Sequence, residues 1–359
     1  MSSDLGNFNN RVLLTGAGFS RNYGGWLASE IWEHLVSQRE IMGNDRLREL
    51  LLSDNSEQNF EKALNIATSN DSFSAEDVNV LVSATCRVFV SQDANMRGET
   101  VSTTPSSFDN SAVRKFVRRF DYGGVYPGGS GYIFTLNQDL LLERKLWGFG
   151  DFRRPVLPGV PCHEDWFTEQ FDRGGTNNAD PQFLNPDGLP VDFVRTIEAE
   201  HPIPVGGWPP KLAGQFNYLK LHGSFDWRDQ TGRSLLVVGG GKRELINGVP
   251  LLAWYADIFR KVCEAGGVRL FISGYSFSDA HINETIAGAA SSHGLRVFLH
   301  NTSSAREMRQ HLLAPDCAPY GREIWNALIG YCSRPLGEIF PGTMRRTAEA
   351  DEFDRTFFD

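Results

Sequence analysis

Five short apolar runs, several of which end in a glycine or polar turn with a helical pattern behind it, constrain this chain more than any other feature. They are RVLLT at Arg11–Thr15, GYIFTL at Gly131–Leu136, NYLKL at Asn217–Leu221, VRLFISG at Val268–Gly274 and LRVFLHN at Leu295–Asn301. Each has the length and the β-branched and aromatic content of a strand. Strands alternating with helices make a parallel sheet covered by helices, with ligands gathering at the strands' carboxyl ends. The expected fold class is therefore α/β, a Rossmann-like, mostly parallel sheet. A further short strand is predicted near Leu235–Val238, and helices at about 251–265, 280–290, 305–313 and 323–329.

The first strand is not followed promptly by a second. Helical patterns at 45–52, 59–67, 75–90 and 111–120 fill the gap, so residues 40–125 read as a helical insertion that shapes a pocket or forms an assembly surface. Residues 147–215, rich in aromatic residues, Gly and Pro, read as an irregular cap. Residues 1–340 are thus expected to form one elaborated domain. Residues 341–359 form a charged tail, either peripheral or disordered or else a docking segment.

Composition narrows the function. A chain of 359 residues, 41% hydrophobic with 25 Phe, can bury a large core. A formal charge of −9 gives no broad attraction to nucleic acid or an anionic membrane. The basic run Arg114, Lys115, Arg118 and Arg119 reads as a solvated helix face. No apolar run is long enough to span a bilayer and the first ten residues lack a secretory layout, so the expected location is cytoplasmic. The five cysteines include no CxxC pair, and the neighbours Cys162 and His163 read as a chance pairing, so no metal is expected.

GAGFS at Gly16–Ser20 turns the first strand into a helix. Gly16 and Gly18 remove side chains where backbone amides could approach a diphosphate, and the helix N-terminus adds attraction. A tight turn without ligand needs the same small residues. Arg21 stands where a dehydrogenase fingerprint has its last glycine, and VVGGGK at Val237–Lys242 is not a phosphate loop of the GxxxxGK[ST] type, so both of those classes are excluded.

GAGFS, TLNQD at Thr135–Asp139, KLHGS at Lys220–Ser224, SGYSFSD at Ser273–Asp279 and LHN at Leu299–Asn301, in that order, resemble the motif series of the sirtuin-like family. The resemblance is closer to bacterial sirtuin-like NAD hydrolases of antiphage defence than to protein deacylases. The paired cysteines of the deacylases are missing, and the first loop continues NYGGWLASE rather than with an Ile-Pro-x-Phe-Arg run. The resemblance implies NAD as substrate, cleaved to nicotinamide and ADP-ribose. It also implies a homo-oligomer and activation by a partner such as a defence-system ATPase or a phage-derived protein.

Carried over by motif, the resemblance makes Asn137 and His222 the catalytic pair. It assigns Gly16, Ala17, Gly18, Phe19, Ser20, Asp139, Gly274, Tyr275, Ser276, Phe277 and Asn301 to the nucleotide. Chemistry agrees with the pair: an uncharged amide can position water or a ribose hydroxyl, and an imidazole can accept a proton near neutral pH. Taken singly, Asn137 could equally cap a helix, Asp139 could stabilise a helix start and His222 could simply be packed. Asp279 reads as an N-cap, and His281, Asn283, His293 and His300 as packing or hydrogen-bonding residues. A nonhydrolytic NAD or ADP-ribose sensor is the competing class, and a deacylase the residual one.

Overall fold

The computed structural model describes residues 8–97, 110–117, 119–120, 130–142, 155–156, 216–227, 235–340 and 347–357. Its frame is a seven-stranded sheet made of β1 (Phe8–Thr15), β2 (Ser130–Thr135), β3 (Pro155–Val156), β4 (Phe216–Lys220), β5 (Arg269–Ser273), β6 (Arg296–His300) and β7 (Leu328–Cys332). The spatial order is β3-β4-β2-β1-β5-β6-β7, and every adjacent pair runs parallel. Val12, Leu13, Leu14, Ile133, Phe134, Leu219, Leu270, Ile272 and Val297 are completely buried or nearly so, because helices cover both faces. The Rossmann-like α/β architecture with helical insertions agrees with the sequence reading.

Strand order decides where a ligand can sit. From β1 the sheet extends outward through β2, β4 and β3 on one side, and through β5, β6 and β7 on the other. The reversal falls between β1 and β5, whose last residues Thr15 and Ser273 are in register. In open parallel sheets this is the crevice where connections diverge and ligands are held.

Between β1 and β2 lie α1 (Ala17–Arg21), α2 (Ala28–Val36), α3 (Arg39–Met42), α4 (Asp45–Leu52), α5 (Phe60–Ser69), α6 (Ala75–Arg97) and α7 (Asn110–Val117). Asn44 and Asn59 each cap the next helix through their side-chain oxygens. Apolar faces of α2 to α6 meet in a second cluster containing Leu35, Ile41, Leu47, Phe60, Leu81 and Phe89, with Leu140 and Phe225 joining it from the sheet's strand-end loops. The remaining helices are α8 (Lys242–Asn247), α9 (Pro250–Cys263), α10 (Ala280–His293), α11 (Ala305–Leu312), α12 (Gly321–Asn326), α13 (Leu336–Ile339) and α14 (Ala348–Phe357).

Two local expectations change. Leu235–Val238 forms no strand; it is clipped beside the exit of β4 by Leu235 N–H to Trp227 O at 3.0 Å and Val237 N–H to His222 O at 3.0 Å. The helix expected at 323–329 stops at Asn326, and the chain turns into edge strand β7, where Gly330 lies against the Phe298 ring. In the charged tail, α14 buries Phe353 and Phe357 against Phe271, with ring centroids 5.5 and 5.2 Å apart. Apart from Pro155 and Val156, the cap expected at 147–215 lies outside the described residues, as do Cys162 and His163. No described helix is long and apolar enough to cross a membrane.

Candidate functional site

At the reversal point two glycine turns interlock. Gly16 N–H donates to Ser273 O at 2.9 Å and Gly18 N–H to Gly274 O at 2.9 Å. Gly274 has φ +66°, and a Cβ there would lie 2.1 Å from the Phe19 nitrogen. A Cβ on Gly16 would lie 2.7 Å from Gly274 O. The glycines of GAGFS and SGYSF are therefore required first by each other, as backbone packs on backbone without room for a methyl. Gly18 spends its amide on Gly274 rather than presenting it to a ligand. Helix α1 is only five residues long, so its dipole is correspondingly small.

Behind this interlock runs a buried chain of polar groups. Asn137 Nδ2 donates to Gly16 O at 2.9 Å and to Ser20 Oγ at 2.8 Å. A backbone carbonyl can only accept, so Gly16 fixes which end of the amide is NH2 and leaves Oδ1 as the acceptor. Ser20 passes a hydrogen bond to the Asp139 carboxylate, which also accepts from Leu141 N–H at 3.0 Å. The helix-start role thus falls to Asp139, and Asn137 caps no helix among the described residues. Burial raises the Asp139 pKa above the usual carboxylate range, against the pull of Lys220. Lys220, fully buried, donates to the Asp139 carbonyl.

His222 leaves β4 just before Gly223, whose φ of +69° and approach to Leu235 O exclude any side chain. The imidazole is buried, with Nε2 3.2 Å from His281 Nε2 on α10. Burial pulls its pKa down to about 3, so His222 is neutral at ordinary pH and is a weaker proton acceptor than its sequence context suggests. Beside it Lys242 Nζ bridges Glu61 Oε2 and Asp279 Oδ1, each at 2.7 Å, tying α5, α8 and the start of α10 together. Burial lowers Lys242, but its two carboxylates outweigh that and hold its pKa above the ordinary lysine value. Burial raises Asp279, yet His222 and Lys242 beside it outweigh burial and hold its pKa below the ordinary value. Asp279 occupies the N-cap position of α10, but its side chain makes no cap hydrogen bond.

This cluster corrects the expectation that no metal is involved. His222, Asp279 and His281 each offer one ligand atom, and all three atoms lie within 4.8 Å of one another. Local cysteine spacing could not reveal such a group, because two of its members come from one turn and the third from a distant strand end.

A cavity of about 680 Å³ opens over these elements, within the range of small-molecule sites. Gly16, Ala17, Gly18, Asn137, His222, Gly274, Tyr275, Ser276 and Asn301 all line it. Four of the sequence-derived residues do not. Phe19 is buried against Tyr23 and Phe116, Phe277 is buried against Tyr275, and Ser20 and Asp139 form the polar layer behind Asn137. The Tyr275 hydroxyl is taken up by Asn283 Oδ1 at 3.0 Å and by the Asp279 backbone. Asn301 Oδ1 accepts from Ser303 N–H at 2.9 Å. Leu27, Asn59 and Glu61 close the outer wall, so the helices between β1 and β2 shape the cavity. Sequence reasoning missed Glu61 and Lys242; the only signal was a lysine directly after the glycine run Gly239–Gly241.

The fold and the cavity at its reversal point define a class: a parallel-sheet, Rossmann-like α/β protein of the kind used by many NAD-binding enzymes. No protein-family model matches the chain, and comparison with curated proteins finds no match either.

Proposed function

We propose that this protein is an NAD glycohydrolase that cleaves the nicotinamide–ribose bond. The observation that carries the reading is a single cavity at the sheet's reversal point with both Asn137 and His222 on its wall. The order of the sirtuin-like motifs supplies the choice of NAD among nucleotides.

In this reading the C1′–N bond breaks with its electron pair leaving on nicotinamide. The oxocarbenium-like ribose is captured by water, giving ADP-ribose and one proton. Asn137 Oδ1, held by the clamp on its NH2 group, positions that water or a ribose hydroxyl. Neutral His222 accepts a hydrogen bond from the same oxygen network. Because the leaving group departs from a cation, the step depends more on positioning and on stabilising positive charge than on a strong base. Ser20 and Asp139 act through Asn137, as positioning residues. By resemblance to the sirtuin-like defence enzymes, we extend the reading to NAD depletion in antiphage defence by a homo-oligomer under partner control.

The test is to incubate the purified chain with NAD and to quantify nicotinamide, ADP-ribose and cyclic ADP-ribose by chromatography. Release of nicotinamide and ADP-ribose is expected, reduced by about a hundredfold or more in folded Asn137→Ala and His222→Ala variants, the scale of lost acid–base or positioning groups. NAD binding without turnover would overturn the hydrolase reading in favour of a nucleotide sensor.

A further inference from the structure

We propose that His222, Asp279 and His281 bind one divalent transition-metal ion of the zinc class, and that loading this site silences the nucleotide cavity. The 3.2 Å separation of the two Nε2 atoms is close to the edge of a tetrahedron whose metal–nitrogen bonds are about 2.0–2.1 Å long. Burial keeps both rings neutral, the form in which imidazole is a ligand. With Nε2 turned toward His281, His222 has Nδ1 left for the Leu136 backbone, which also hydrogen-bonds this ring. A carbonyl on the second nitrogen is the usual way a ligating imidazole is oriented.

The third ligand is prepared in the same manner. Lys242 holds Asp279 Oδ1, and Glu61 balances the lysine charge. A carboxylate oxygen of Asp279 lies within 4.8 Å of a ring nitrogen of each imidazole. Two nitrogens and one oxygen suit zinc, cobalt or nickel better than magnesium or calcium, which demand oxygen-rich shells. His222 lines the nucleotide cavity and His281 a neighbouring cavity of about 530 Å³, so the ion sits in the shared wall with access from solvent. An N–H···N bond between the rings would give the same separation without an ion, and the experiment below distinguishes the two.

Silencing rests on the NAD reading. A metal takes the Nε2 lone pair that His222 would offer to the ribose oxygens. It also places a dication beside a substrate whose nicotinamide ring is already cationic and whose ribose gains positive charge as the bond breaks.

The full chain, stripped with a chelator, is titrated with Co²⁺ and followed by visible d–d absorption. Wild type is compared with Asp279→Asn, His281→Ala and His281→Gln, and with His293→Ala as an exposed-histidine control; circular dichroism verifies folding. One equivalent of Co²⁺ is expected to bind wild type and the His293 variant. Affinity should fall by at least about tenfold in the Asp279 and His281 variants, the lower end of what losing even an outer partner costs. No binding, or equal binding in folded His281 variants, overturns the site. Zn²⁺ at one equivalent is then expected to suppress nicotinamide release, with recovery on chelation; unchanged release overturns silencing. If the stripped chain releases no nicotinamide, the NAD reading fails and silencing falls with it, while the Co²⁺ titration still judges the metal site.

Discussion

Gly274 shows how one residue can be held by its neighbours rather than by a ligand. Alanine there meets both a left-handed backbone and the Phe19 nitrogen 2.1 Å from the new Cβ. Gly266 has φ +82° and nothing within 4 Å of a Cβ, so alanine there meets the backbone strain alone. Urea unfolding should therefore show Gly266→Ala costing about 1–2 kcal/mol and Gly274→Ala distinctly more. Equal losses would mean that the two turns are not tightly interlocked. His300 is constrained differently: Nε2 lies 2.8 Å from the Arg334 carbonyl and Nδ1 2.8 Å from Ser273 Oγ, with Phe271 alongside. The carbonyl must receive an N–H, so Nδ1 is the acceptor for Ser273. Burial holds its pKa below the free-histidine value, against the Arg334 carbonyl. The unfolded chain therefore binds the extra proton, and the stability that neutral His300 allows is lost as pH falls below about 6.5. A His300→Gln variant should lose less stability than wild type between pH 8 and pH 5; an identical slope would remove this assignment.

At the scale of elements, α14 repeats the lesson of β7. The segment Ala348–Phe357 carries four acidic residues and looks solvated, yet Phe353 and Phe357 at helical spacing are enough to seat it. Phe357 meets Phe298 at 4.9 Å, and Asp354 takes a two-pronged hydrogen bond from Arg119, whose guanidinium also lies 4.4 Å from the Phe340 ring centre. Part of the basic run read as a solvated face is thus the anchor of the last helix. Phe357→Ala should cost about 3 kcal/mol in denaturant unfolding, the lower end for a buried aromatic because this is the last described helix. A loss below about 1 kcal/mol would show that α14 is not held by this contact. Helix α5 joins the sheet to the insertion by another route, since Glu61 reaches Lys242 and through it Asp279.

For the whole molecule, a nucleotide seated at the reversal point touches loops from both halves of the sheet and should stabilise them together. Saturation with ADP-ribose at a hundred times its dissociation constant is expected to add about 2.7 kcal/mol, read as a raised thermal midpoint; no change at any concentration would count against a nucleotide site. Much of this architecture was legible beforehand. Strand spacing determined the parallel sheet, because short apolar runs alternating with helices have few other ways to bury their faces. Motif order brought Asn137, His222 and the two glycine turns to one set of strand ends. The sequence did not disclose that Phe19 and Phe277 face the core, or that Gly18 gives its amide to Gly274, because a motif names residues without saying which side of the backbone they occupy. Nor could it join Glu61, Lys242, Asp279 and His281 to His222, since ion pairs and ligand groups depend on distances between segments far apart along the chain. Those distances were decided only when the sheet closed and buried the groups together, where neutral imidazoles and paired charges are the forms that burial permits.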